Sequence, residues 1–515
     1  MERIKNQRYL ILVLMLYLFF SVILFSHYQY IINPDGISYI SIAQNYVNGH
    51  ISYAINGYWS PLYSWLLIPF ILLWKVNLGN IIATKILAII IGLFTLIAIY
   101  LILIKLHLNN YLNTVILLAF IPIMLYFTFQ FITPDLLVAC LLLYYLNFLM
   151  DEKYRKKEYM GLLTGFFGVL AFLAKSYVFF FFLIHFIFTN LFYVKNFPLD
   201  KGNIKKNILW GLSFFLVISG IWVGVISEKY GVITIGTTGS YNYELVGPES
   251  DGHAMFYKGL ITPPNEFSVS AWEDPSYFQL KKWNPLESTE NFIHQIMIIL
   301  NNFYNIVLIS LYLLFVPFFS ILLALFLFFK SNEKSIKNNV IFILGTIILY
   351  IGGYILIIVE GRYLWFSLIL SFILGFYSLN ELYNQNDIKL NFFRASIIIM
   401  VAALVFYPLL FFMYYNPSLG YYETSLALKS HGIEGNIASN DQWEIMDYLS
   451  YYLDSRFYGV TTHQSDSELK ETLNFYQIDY YFVWGESGEY SSKGFIGELV
   501  YKNQYFEVFK VNNSY

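Results

Sequence analysis

Hydrophobic positions along this chain gather into long blocks instead of alternating with polar ones. Residues 8–26, 82–104, 207–226, 340–359 and 393–413 each run close to the ~20 residues a helix needs to cross hydrocarbon. Backbone amides in lipid must be satisfied within the segment, so blocks of this kind form helices. A transmembrane barrel would show strands of about ten alternating residues, and none are visible. The pattern predicts eleven spans, at 9–27, 82–105, 112–130, 134–150, 159–175, 176–194, 207–227, 303–329, 339–359, 363–382 and 393–415. A polytopic α-helical membrane protein is the expectation.

Polar positions between the blocks give the sidedness. Lys153, Arg155, Lys156 and Lys157 fall in one loop, Lys195, Lys201, Lys205 and Lys206 in another, and Lys330, Lys334 and Lys337 in a third. These are alternate loops, as the positive-inside rule requires when the N-terminus is cytoplasmic. Arg3, Lys5 and Arg8 precede a first apolar run too long for a signal-peptide core, which reads as a retained span. Three segments then lie outside: 28–81, 228–302 and the C-terminal part from about 416. In the first, 37–47 reads as a short helix on the membrane and 61–74 as a juxtamembrane or re-entrant helix. The second ends in an interfacial helix at 290–300. In the third, strands are expected at 436–439, 457–461, 479–484 and 506–511, with helices at 442–453 and 467–476 between them. The division is thus 1–415, a transmembrane unit, and 416–515, a small extracytoplasmic α/β domain.

Composition adds exclusions. Only 13% of residues are charged, about half the usual share in a soluble domain. A net charge of -3 with no basic patch gives no footing for nucleic acid. Cys140 is the one cysteine, so disulfides and cysteine-based metal sites are excluded. No glycine-rich nucleotide loop or soluble Asp-x-Asp site is present.

Charges at the outer helix ends carry the candidate chemistry, because an unpaired charge in the bilayer costs a few kcal/mol or more. Asp35 follows span one in Asn33-Pro34-Asp35-Gly36, where Pro34 stops the span and Gly36 allows an unusual turn. It also fits as a helix N-cap. Asp135 stands in Thr133-Pro134-Asp135, where capping is again the plain alternative. Lys175 lies in a tight hairpin between two spans, and Glu360-Gly361-Arg362-Tyr363 closes span nine. All four map to one side of the membrane. Sugar transfer from a lipid phosphate needs such a set: a base for the acceptor hydroxyl and positive charge for the departing phosphate.

In the order of Asp35, Tyr58-Trp59-Ser60-Pro61-Leu62-Tyr63, Thr133-Pro134-Asp135, Leu173-Ala174-Lys175 and Gly361-Arg362-Tyr363, the chain resembles the GT-C superfamily of membrane glycosyltransferases. The likeness is to the bacterial and archaeal branch related to protein mannosyltransferases and aminoarabinose transferase, and it covers about 1–400. It implies Asp35 as general base, with Asp135 helping to organise the site or binding a metal, and Tyr39 and Glu360 organising the site. Lys175, Arg362 and Tyr363 would hold the donor phosphate. The implied donor is a polyprenyl-phosphate sugar, transferred with inversion to a glycan, lipid or protein acceptor at the outer face of the plasma membrane. Two departures stand out. Gly36 replaces the acidic residue many relatives carry beside the catalytic Asp. Trp59-Ser60-Pro61 stands where aminoarabinose transferases have Glu-Lys-Pro, which argues against a lipid A substrate and makes a divalent metal the disfavoured option.

Rival readings are a transporter or flippase, a surface-polysaccharide polymerase or ligase, and a non-catalytic scaffold. A transporter would carry ionisable groups near the bilayer midplane; Lys85 is the one such residue, and it is expected to snorkel outwards. The polymerases carry Arg and His in a large outer loop, whereas 228–302 has His253 and His294 but no Arg. Trp272 and Trp283 are expected to seat that loop on the membrane, and Glu244, Glu249, Asp251, Glu273 and Asp274 to be solvated.

Overall fold

A computed structural model describes residues 2–74, 76–462, 465–485 and 496–512, with the side chains of residues 1–7, Arg3 and Lys5 among them, outside the described set. The first helix, α1 (Glu2–Tyr28), leads into three short ones, α2 (Pro34–Val47), α3 (Ile51–Ala54) and α4 (Pro61–Ile71). Then follow α5 (Asn77–Lys105), α6 (Asn110–Gln130), α7 (Asp135–Met150), α8 (Glu152–Lys156), α9 (Met160–Ala174), α10 (Val178–Asn196) and α11 (Lys201–Tyr230). Gly231, at φ +67°, ends α11 in the left-handed conformation that glycine tolerates. Two short helices, α12 (Thr238–Leu245) and α13 (Ala254–Tyr257), sit in the second outer loop. The chain then returns through α14 (Thr289–Tyr312), α15 (Val316–Lys330), α16 (Lys334–Ile355), α17 (Trp365–Asn384) and α18 (Leu390–Tyr414). Nine helices among the described residues are long and apolar enough to cross a membrane. This is a multi-pass membrane protein.

Ten of the predicted spans correspond to single helices. The eleventh, 303–329, does not: α14 and α15 are separate, broken where Leu314 and Phe315 take φ of 53° and 57°. Pro317 follows at once, and a proline can open a helix but not continue one. α14 begins at the predicted interfacial helix and continues to Tyr312. Asn302 donates to the Ile355 and Ile357 carbonyls at the end of α16, while the Tyr312 ring meets Tyr407 of α18. So α14 runs laterally from α16 to α18 at the site-bearing end of the bundle. Three spans are short, with 16 residues in α7 and 15 each in α9 and α15. At 1.5 Å per residue that is about 22–24 Å, less than the ~30 Å hydrocarbon core.

Small residues let α9 and α11 approach closely. A methyl group on Gly165 would lie 2.6 Å from the Gly211 carbonyl oxygen, against backbone with no room to yield. Gly165→Val is therefore expected to destabilise the bundle by about 1–3 kcal/mol through overpacking. Thermal unfolding of purified protein in lipid would read this, and an unchanged midpoint would show that the two helices do not meet there.

After α18 come α19 (Leu419–Ser430), β1 (Asn436–Ser439), α20 (Trp443–Tyr452), β2 (Arg456–Val460), α21 (Asp466–Phe475), β3 (Tyr480–Trp484), β4 (Gly497–Lys502) and β5 (Phe506–Val511). The sheet order is β2-β1-β3-β5-β4, parallel among the first three and antiparallel thereafter. Four strands and two helices match the expected α/β pattern; α19 and β4 were not anticipated. The unit is seated on the bundle through Asn77, whose amide donates to the Tyr451 carbonyl and to Asp454. The second outer loop joins the edge of β2, where Ile261 N donates to Tyr458 O and Phe457 N to Val269 O. This loop and the sheet unit thereby form one layer, which meets α2 and α5 through α20.

Candidate active site

Two corners of the chain are tied together under that layer. Asn33, just before α2, accepts from the Ile132 amide at 2.8 Å, linking the α1–α2 corner to the α6–α7 corner. Asp35 and Asp135 each stand in the first turn of the helix that follows, where the helix dipole favours a carboxylate. Gly36 is needed for closeness, not for an unusual turn. It is helical, and a methyl there would lie 2.6 Å from Ile132 Cβ. Nor does α2 lie on a membrane surface: Ile37 to Ala43 are buried against α4 and the second outer loop.

Neither aspartate acts as a cap; both face cations. The Arg362 guanidinium donates to Asp35 Oδ2 at 2.7 Å and to Glu360 Oε2 at 2.8 Å, and stands 4.0 Å from Asp135. Lys175 donates to Asp135 Oδ1 at 2.6 Å and lies 3.6 Å over the Tyr363 ring. The result is a buried chain of alternating charge, Lys175–Asp135–Arg362–Asp35, with Glu360 the most exposed member. Glu360 takes the donors Arg362 Nε and Tyr363 OH that a phosphate would need. Asp35, Tyr39, Asp135, Lys175, Glu360, Arg362 and Tyr363 all line one cavity of about 460 Å³. Lys175 follows the last residue of the short helix α9 and Asp135 is the first residue of the short helix α7, which recesses them into the bundle.

The outer wall of this cavity differs most from expectation. Trp272 does not seat a loop on the membrane: its indole donates to Asp35 Oδ1 at 3.0 Å, among the rings of Tyr58, Trp59 and His253. Trp283 instead stacks on Tyr243 and donates to its carbonyl. Trp443 of α20, which sequence reasoning passed over, stacks on His253. Burial holds the His253 imidazole down at about 4, against the pull of Asp35, so it is neutral at pH 7. Glu273 and Asp274 are buried, not solvated; Glu249 is exposed as expected and pairs with Lys281. Lys85 does not snorkel: it is 1% exposed, with the Phe129 carbonyl as its partner. Asp35 and Asp135 both face cations, and among the described residues no three His, Cys, Asp or Glu side chains converge.

Glu273 braces the wall by accepting from Ser41 Oγ at 3.0 Å and Val269 N at 2.6 Å. Burial pushes its carboxyl from the ordinary 4.5 up to about 8. The folded state therefore holds a proton that the unfolded state releases above pH 4.5. Its contribution to stability is complete below about 4.5 and is lost as pH rises through 8. Glu273→Gln is expected to flatten the decline of stability between pH 5 and 8 by about 1.4 kcal/mol per pH unit. Unfolding midpoints across that range, wild type beside variant, give the slope; equal slopes would mean that Glu273 is ionised in the fold.

Solved structures share this arrangement of helices and sheet. ArnT from Cupriavidus metallidurans in the apo state superposes with a TM-score of 0.57 at 11% identity, over 97% of this chain and 96% of that one. The same protein bound to undecaprenyl phosphate gives a TM-score of 0.54 at 12% identity, over 96% and 97%. The fold is that of ArnT. No protein-family model and no curated protein matches the sequence. The likeness takes in both the bundle and the appended sheet, since the superposition runs through nearly the whole of each chain.

Proposed function

We propose that the chain is a membrane glycosyltransferase that moves a sugar from a polyprenyl-phosphate carrier to an acceptor hydroxyl, with inversion. The observation that carries this reading is the convergence of Asp35, Arg362 and Lys175 on one cavity of a GT-C fold. In support, ArnT has been solved with undecaprenyl phosphate bound.

Asp35 is the general base. A carboxylate has about four acceptor positions; Arg362 and Trp272 use two, which leaves others for an acceptor O–H. As that proton moves to Asp35, the hydroxyl oxygen attacks the anomeric carbon. The bond from that carbon to the phosphate oxygen breaks on the opposite side, and polyprenyl phosphate leaves. Arg362, Tyr363 and Lys175 hold the phosphate, which displaces Glu360 from Arg362 Nε and Tyr363 OH. Asp135 keeps Lys175 and Arg362 in place, and Tyr39 lines the floor between the aspartates. In this reading the N-terminus and the basic loops are cytoplasmic, which is supported by Lys153, Arg155, Lys195 and Lys330 falling at or beyond the helix ends opposite those that carry the cavity residues. Residues 1–415 form the catalytic unit and 416–515 an extracytoplasmic domain.

The test is release of free polyprenyl phosphate from a panel of labelled polyprenyl-phosphate sugars by protein purified into lipid, with glycan, lipid and peptide acceptors supplied. At least one donor is expected to be consumed. If none is consumed while a sugar lipid crosses between leaflets, the transporter reading replaces this one.

A further inference from the structure

A second cavity, of about 530 Å³, opens beside the first and shares Ile32, Phe256, Tyr415, Trp443, Glu444 and Tyr448 with it. Its volume is that of an ordinary small-ligand site. Its far wall is Asp441 and Gln442, at the start of α20, with Asn416, Ser418 and Tyr421 from the α18–α19 connection. The chemistry of this lining is selective. Among the described residues, two carboxylates and no Lys, Arg or His line the space, so a phosphate or a carboxylate ligand would meet uncompensated negative charge. A lipid chain would have to desolvate Asp441, Glu444, Gln442 and Asn416 without pairing them. What suits such walls is a ligand with hydroxyl donors at its edge and an apolar C–H face for the rings.

Trp443 supplies the second, independent mark of a ligand. It is 7% exposed and lines both cavities, yet among the described residues its indole N–H has no hydrogen-bond partner. Buried indole donors are ordinarily paired. From Trp443 the rings of His253 and Trp272 lead on to Asp35. A ligand seated in the second cavity therefore has a lined path to the carboxylate.

We propose that the cavity between α20 and the α18–α19 connection is the acceptor site, and that it takes an uncharged glycan. One sugar face stacks on the Trp443 and Tyr448 rings while Asp441, Glu444 and Gln442 receive its hydroxyls, and the terminal hydroxyl reaches Asp35. This rests on the transferase reading but is tested apart from it, by binding alone. Neutral trisaccharides of glucose, mannose, galactose and N-acetylglucosamine would be titrated calorimetrically into the full-length protein in lipid nanodiscs. At least one is expected to bind. Asp441→Asn, at an exposed position, should weaken it roughly tenfold or more, the worth of a hydrogen bond to a charged group. Trp443→Ala should weaken it as well; if that variant fails to fold, Asp441→Asn still decides. Binding of an acidic trisaccharide in place of the neutral ones, or none by any sugar, or unchanged affinity in Asp441→Asn, overturns the proposal. Glycan binding without donor turnover would sustain the site and sink the transferase reading. Donor turnover without glycan binding would do the reverse.

Discussion

Asp35→Asn is expected to lower sugar transfer by about 10³-fold, within the range for loss of a general base, while the protein stays folded. Asparagine keeps the shape of the side chain and one oxygen to accept from Trp272, so the wall of Trp272, Tyr58 and Trp59 has no reason to move. What is lost is a group that can accept a proton. Arg362 loses its nearest anion but retains Glu360 at 2.8 Å and Asp135 at 4.0 Å, so it is not stranded. The kinetic signature follows. The fall should lie in kcat, with KM for the donor unchanged or lowered, because Arg362 is freer to meet phosphate. Equal turnover by wild type and variant would remove Asp35 from the mechanism. A fall confined to donor KM would recast it as a residue that only orients Arg362.

How much of this could be read from the sequence divides along a physical line. Span positions were legible because lipid imposes a simple rule, length and apolarity, on every helix that crosses it. The helix break at Leu313–Phe315 obeys no such rule. Both sides of it are apolar, and Pro317 alone does not say whether a helix kinks or ends. The charged members of the site were legible for the same reason as the spans, since Asp35, Asp135, Lys175, Glu360 and Arg362 are costly at helix ends. Their pairing was not. Nothing in the sequence separates Lys175 bound to Asp135 from Lys175 reaching lipid phosphate. Trp272, Glu273 and Asp274 were misjudged because a polar loop with acidic residues reads as solvated. Their burial comes from a layer built by residues 180 positions further on, as when Val269 pairs with Phe457. Trp272-Glu273-Asp274, a tryptophan beside two carboxylates, was the available signal. Lys85 erred the other way: snorkelling needs a free path to water, and α6 closes it.

Asp135→Asn should be the most damaging single change to stability at the site, at about 3–5 kcal/mol, the usual cost of breaking a buried pair from one side. Asp135 is the anion that Lys175 meets at 2.6 Å, and it also stands 4.0 Å from Arg362, behind Asp35 and Glu360. Neutralising it leaves a largely buried ammonium whose remaining contacts are a neutral amide oxygen in place of the carboxylate and the Tyr363 ring, the ring contact being worth only about 0.5–2 kcal/mol. Lys175→Met is the milder change, because Asp135 keeps Arg362 within reach. The double variant, Asp135→Asn with Lys175→Met, should then be more stable than Asp135→Asn alone, as the stranded charge is gone; the coupling is expected at about 1–3 kcal/mol. Unfolding midpoints of the four proteins in one lipid measure it. Additive effects would mean that the two side chains do not share a buried pair. Activity separates the roles further. A double variant that is folded and still turns over donor, but with donor KM raised, would fit Lys175 as a phosphate ligand and not merely as the counter-ion of Asp135. A double variant with wild-type donor KM would leave the phosphate to Arg362 and Tyr363.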